Sequence, residues 1–306
     1  MEENPNENIP RKAPLANMHP AVFIVIVLFT TFITYQVFGG LLTVIIVGAK
    51  VEKFTENLST TRIILSFAQF MFLLFPALIL SMMRGNNFRD TFRVKKPDLV
   101  IFFLSVFGLV LVQPFLQAYL VIQNKLIFSL PFGTEAIKQV KDLFDSLEQT
   151  TMSLVTAHSI PEFIFVIFVI AVTPAICEEF LFRGIVFRNF EKVSLRRNAM
   201  FLTGLLFALF HFHPFNLIPL ILLGFYLTFI TYYSGSIFTA VACHFLNNFI
   251  SAFSVFIFGK ENFAEPDISG MQLMQFGLLG LLSIVLFVFL LVYIVRLYNK
   301  KSQIVV

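Results

Sequence analysis

Tryptophan is missing from the 306 residues, cysteine occurs only twice, and 13% of the side chains are charged. An ordinary soluble domain carries roughly a quarter charged residues, so a soluble globular protein of this length is excluded. The two cysteines, Cys177 and Cys243, each sit in an apolar run. That excludes a disulfide framework. Without a Cys-x-x-Cys pair it also excludes thiolate redox or metal chemistry, and both read as small buried apolar residues. The N-terminus lacks a short apolar core followed by a small-residue cleavage site, so no removable signal peptide is expected. The 22 Lys and Arg residues flank apolar runs instead of lining one polar face. Nucleic acid is therefore not an expected partner.

What is present is hydrophobic residue, 58% of the chain, with a mean hydropathy of +0.85. A bilayer core takes about 20 apolar residues per helix. Eight segments qualify: 21–47, 63–83, 99–128, 161–190, 199–213, 215–233, 236–258 and 273–297. The fifth is short and ends at a sharp His213-Pro214 break. The expected fold is an all-α polytopic membrane helical bundle of about eight transmembrane helices. One transmembrane domain at 21–298 is expected between a disordered cytoplasmic tail at 1–20 and a cytoplasmic tail at 299–306. Alternate connections hold 14 Lys and Arg on one side and 6 on the other, with Lys125 and Arg183 inside spans. The positive-inside rule then puts both termini in the cytoplasm.

The longest loop, 131–160, repeats Ile137, Val140, Phe144 and Leu147 at helical spacing with charges between. It reads as an amphipathic helix on the outer interface, or equally as a connector packed on the bundle. The loop 259–270 is acidic and external. The 42 phenylalanines are spread through the spans as packing and lipid-facing groups. Gly204, Gly224, Gly277 and Gly280 permit close helix approach, and Asn247 is suited to a helix–helix hydrogen bond.

Charged groups inside such spans are costly and survive when paired or functional. The fourth span carries Glu178, Glu179 and Arg183. Glu179 precedes Arg183 by four residues, the favourable order for an ion pair. Glu178 lies about 100° round the helix and has no local cation. It is free to face the bundle as a general base. Pro174, four residues earlier, removes a backbone donor and is expected to open space there. Later spans carry Phe207 and His211, then His244 and Asn248, each pair on one helix face. Counted from the expected cytoplasmic ends, Glu178, His211 and Asn248 each lie about 18 Å deep and His244 about 12 Å. Three segments thus bring polar groups to one level. Glutamates, histidines and an asparagine gathered in lipid look like a reaction centre. Glu178 can take a proton, His211 can orient or share it, and Asn248 and His244 can donate.

The three motifs, Glu178-Glu179-Phe-Leu-Phe-Arg183, Phe207-Ala-Leu-Phe-His211 and His244-Phe-Leu-Asn-Asn248, stand in order across 161–258. This part of the chain resembles the CAAX protease and bacteriocin-processing family of intramembrane proteases, also called the abortive-infection family. The family includes the type II CAAX prenyl endopeptidases. The resemblance implies a glutamate-dependent peptidase of a bacterial-type inner membrane. It places the base at Glu178, helped by His211, and the oxyanion contacts at His244 and Asn248. Its substrates would be membrane-associated, lipidated or exported peptides, and its other partner is membrane lipid. The first three spans carry no matching motif.

Other readings remain. Glu179 with Arg183 suits a structural pair. Glu178, His211 and His244 are acceptable zinc ligands by type. The helical His-Glu-x-x-His signature is absent, however, and Arg183 opposes a cation, so no cofactor is expected. Intramembrane acids and histidines also build proton relays, as in a proton-coupled transporter, but the two related halves of many transporters are not visible. A non-catalytic immunity or partner-binding protein would not need the complete motif set.

Overall fold

A computed structural model describes residues 13–85, 87–129, 134–259 and 269–304. Among the described residues there is no strand, and seven helices are long and apolar enough to cross a membrane. In chain order we label the main helices α1 (Pro20–Ile46), α2 (Leu58–Met83), α3 (Leu99–Ser129), α4 (Thr134–Val155), α5 (Ile160–Phe190), α6 (Arg196–Phe210), α7 (Leu217–Ser234), α8 (Ile237–Phe258) and α9 (Gly270–Ile304). The protein is an all-α polytopic bundle. The short fifth segment is α6: its 15 residues rise only about 22 Å, so it falls short of the seven. It pairs with α7 as a hairpin whose tip holds His211 to Asn216.

The close approach of α6 to α7 depends on two glycines. A Cβ on Gly204 would stand 2.5 Å from the Phe225 nitrogen, and one on Gly224 would stand 2.9 Å from Gly204 Cα. Large hydrophobic side chains such as Phe29, Phe103 and Phe289 remain exposed on the bundle's outside, as a lipid-facing surface requires.

Two boundaries differ from expectation. The N-terminal tail is in part seated: residues 1–12 lie outside the described residues, but the Leu15 amide donates to Met83 O at 2.9 Å. Arg84 Nη2 donates to Met18 O at 3.0 Å, and Leu15 and Met18 pack on the core. Apolar burial, one backbone hydrogen bond and one from the Arg84 side chain hold residues expected to be disordered. At the other end the helix runs to Ile304 through the expected tail, where Lys301 pairs with Asp98. Burial pushes the Asp98 carboxyl up, but Lys301 and the Ile101 and Val100 amides outweigh it and hold it below its usual range. Most of the acidic 259–270 loop lies outside the described residues.

The amphipathic helix forms as α4 and is tied to the bundle at its C-terminal end and near its middle. Arg62, fully buried, donates from Nε to Leu154 O at 2.9 Å and from Nη1 to Glu162 at 2.7 Å. The Phe144 ring packs 5.1 Å from that of His213.

The helices are not uniform. π-helical turns widen α1 at Thr34–Gly39, α2 at Gln69–Leu74 and α5 at both Phe168–Val172 and Phe180–Val186. Such turns are rare and gather at functional sites. The two in α5 flank the seven residues from Thr173 to Glu179, so Pro174 sits between widened turns.

Candidate active site

Successive residues on a helix point about 100° apart, and α5 uses this to separate its two carboxylates. Glu179 is fully buried. Its Oε1 accepts from Arg183 Nη1 at 2.8 Å and from His244 Nδ1 at 2.7 Å. Arg183 is also buried. Its Nη2 donates to Gly224 O at 2.9 Å, and its guanidinium lies over the Phe207 ring at 4.6 Å. Phe207 is thus the platform for the arginine as well as the residue one turn before His211. The ion pair follows the i,i+4 spacing; the His244 contact across to α8 and the Gly224 carbonyl had no signal in the sequence.

Glu178 has different company. Its Oε2 is shielded from water and has no hydrogen-bond partner. The nearest titratable partner is His211, with Nε2 3.7 Å from Oε2. His211 Nδ1 lies 2.7 Å from Phe207 O. A carbonyl only accepts, so Nδ1 carries a proton, and in the neutral ring Nε2 turns a lone pair toward Glu178. The backbone explains this placement. Phe212 adopts φ 50°, a left-handed conformation uncommon for a bulky residue, and ends α6 immediately after His211. The histidine is therefore left at a helix tip, where its side chain can reach α5. His213 caps the following turn, its Nδ1 accepting from Asn216 N at 3.2 Å.

Asn248 is part of a directed chain of amides. Gln113 Nε2 donates to Asn247 Oδ1 at 3.1 Å, Asn247 Nδ2 to Asn248 Oδ1 at 3.2 Å, and Asn248 Nδ2 to Ile170 O at 3.1 Å. Asn247 thus makes the helix–helix bond its position suggested. One of the two Asn248 N–H groups is occupied by α5, and a second remains. Cys177 and Cys243 are buried free thiols.

The structure therefore brings all six candidate residues together in two groups: Glu178 with His211, and Glu179, Arg183 and His244 with Asn248 further along the same face of α8. Among the described residues no three His, Cys, Asp or Glu side chains are grouped to hold a metal ion. Glu178, His211 and His244 are not such a set. The Phe207 ring lies against both histidines, at 4.5 Å from His211 and 6.0 Å from His244, and His244 Nδ1 is taken by Glu179.

Residues 160–250 match the family model described as type II CAAX prenyl endopeptidase Rce1-like. No curated protein and no solved structure matches the chain.

Proposed function

Residues 160–250 make the chain a member of the Rce1-like type II CAAX prenyl endopeptidase family, and from that premise we propose that it hydrolyses peptide bonds with a water activated by Glu178. The observation that carries this reading is the contrast between the adjacent glutamates. Glu179 is ion-paired with Arg183 and accepts from His244 Nδ1. Glu178 faces His211 at 3.7 Å with no hydrogen bond of its own.

A water between a carboxylate and an imidazole lone pair can donate one hydrogen to each. As its oxygen attacks the scissile carbonyl, Glu178 takes the proton and later gives it to the leaving amine. His211 orients the water and is itself oriented by Phe207 O. The second Asn248 N–H is a neutral donor for the developing oxyanion. His244 can donate there from Nε2 only in its doubly protonated form, because Nδ1–H is already directed at Glu179. No metal enters these steps. The substrates are membrane-associated, exported or lipidated peptides, met within the bilayer of a bacterial-type inner membrane. Both termini lie on the cytoplasmic side, where Lys and Arg concentrate.

The test is turnover of a fluorogenic peptide ending in a farnesylated cysteine and three further residues, beside its unprenylated form. Purified wild type should cleave at least one. Glu178→Gln should remove activity by about 10²-fold or more, the span usual for a general base, without lowering thermal stability. Equal turnover by this variant would overturn the assignment.

A further inference from the structure

Two polar side chains of the first two spans have no part in the chemistry above. Tyr35 and Gln69 lie in helices whose mean hydropathies are 2.2 and 2.4, where a polar group is costly without a purpose. Gln69 opens the π turn of α2, and Tyr35 is the second residue of the π turn of α1. Measured from the membrane face shared by Pro20, Met83, Phe190 and Arg196, Tyr35, Gln69, Glu178 and His211 all lie about 18–22 Å deep.

Contacts lock these turns together and onto α5. Thr34 Oγ1 donates to Phe72 O, joining the α1 turn to the α2 turn. Gly39 lets them close, since a Cβ there would meet Ala68 Cβ at 3.2 Å. Ser66 Oγ lies 3.4 Å from Thr173 Oγ1, five residues before Glu178. The Tyr35 ring packs on the buried cluster that includes Cys177 and Leu181, and its hydroxyl lies near the Gln69 side chain and in the field of the Glu178 carboxylate. Gln69 Oε1 is buried without a hydrogen-bond partner. That leaves the glutamine C=O unspent beside the base, with the tyrosine O–H close to it.

One donor and one acceptor are the complement of a peptide unit. A substrate chain entering a bilayer must have its N–H and C=O groups paired, because hydrocarbon offers none. We propose that Tyr35 and Gln69 form a main-chain subsite: Gln69 Oε1 accepts a substrate N–H and the Tyr35 hydroxyl donates to a substrate carbonyl, close to the bond presented to Glu178. Gln69 Oε1 and Glu178 Oε2 are both shielded from water. The proposal rests on the peptidase reading and assigns a binding role to the part of the chain that carries no family motif.

The experiment uses full-length protein in detergent micelles and the farnesylated fluorogenic peptide, with analogues in which one backbone amide at a time is N-methylated. Gln69→Leu and Tyr35→Phe should raise KM about tenfold, the effect of one lost hydrogen bond in a dry site, with kcat changed far less. N-methylation at one position should weaken wild type by about tenfold and Gln69→Leu by less than about twofold, because the variant has no acceptor left to lose. In parallel, a non-cleavable reading comes from anisotropy of the labelled peptide with Glu178→Gln and with the Glu178→Gln/Gln69→Leu pair, where the pair should bind about tenfold more weakly. If wild type cleaves the peptide but KM and every N-methyl effect are the same in Gln69→Leu, the subsite is overturned and the peptidase reading stands. If wild type cleaves no peptide while the binding difference persists, the subsite stands and the peptidase reading fails. Absence of both turnover and binding overturns both.

Discussion

Asn248 donates at 3.1 Å to the carbonyl of Ile170, the oxygen four residues before Pro174 and so the one that proline leaves without its helical N–H. An asparagine on α8 thus completes the hydrogen bonding of α5 beside the Glu178 site. Asn248→Ala should leave this partly buried carbonyl unpaired and destabilise by about 1–3 kcal/mol. Pro174→Ala in the same background restores a backbone donor, so thermal unfolding of the double variant should recover most of that loss. Turnover should not recover, because the proposed mechanism uses the second Asn248 N–H for the oxyanion. Recovery of both would reduce Asn248 to a structural bond.

The buried trio should behave differently. Glu179 holds Arg183 and His244 at once, with both carboxylate contacts on Oε1. Removing one partner of a buried ion pair costs about 3–5 kcal/mol because the other charge is stranded. Glu179→Gln should therefore lower the yield of folded protein and its melting temperature, whereas Glu178→Gln leaves both near wild type. Arg183→Lys keeps the charge but cannot reach Glu179 and Gly224 O together, nor stack on Phe207 as a planar group does. It should fall on the Glu179→Gln side of this comparison. Equal melting of the Glu178→Gln and Glu179→Gln proteins would contradict the division of labour.

Much of this was legible from residue spacing. The four-residue separations set Glu179 against Arg183 and put Phe207 with His211 and His244 with Asn248 on common faces, because helical periodicity alone determines such neighbours. Contacts between helices left no comparable trace. Nothing local to His244 shows that its ring meets Glu179, and nothing in α7 marks Gly224 O as an arginine acceptor. Pro174 did signal a disturbance, but its form, two π turns and a donor borrowed from α8, depends on what packs alongside. Gln69 and Tyr35 carry no signal for the same reason: single polar residues in apolar runs show no pattern until their helices are brought together. At the N-terminus, composition suggested disorder, yet Leu15 finds an apolar seat and a free carbonyl at Met83.

Topology can be checked at exposed positions in opposite connections. The Lys and Arg distribution predicts the α5–α6 connection in the cytoplasm and the α1–α2 connection outside. Val193, 42% exposed, and the exposed Asn57 are suitable sites in a Cys177→Ala/Cys243→Ala background. A membrane-impermeant maleimide applied to intact cells should label Asn57→Cys and leave Val193→Cys untouched until the membrane is opened. The reverse pattern would invert the protein and place its mechanism on the other side of the bilayer.

Metal dependence is the sharpest remaining test of the chemistry. A catalytic zinc takes about three protein ligands at about 2.0–2.3 Å and keeps a fourth position for water. Glu178 and His211 Nε2 could supply two. A third from His244 would have to come from Nε2, with Phe207 packed against both rings, while Glu179 is already committed to Arg183 and His244. Arg183, buried one turn from Glu179, adds positive charge that a divalent ion would have to overcome. A Glu178–His211 pair can activate water without a cation, and Asn248 supplies a neutral donor to the oxyanion. We therefore expect purified protein to retain most of its activity after prolonged chelation and dialysis, with less than stoichiometric zinc by elemental analysis. Glu178→Ala should abolish turnover and Asn248→Ala should weaken it strongly, although asparagine is a poor zinc ligand. Activity that vanished on chelation and returned only with one equivalent of Zn²⁺ would make Glu178 a ligand instead of the base, and Asn248 a support for that site.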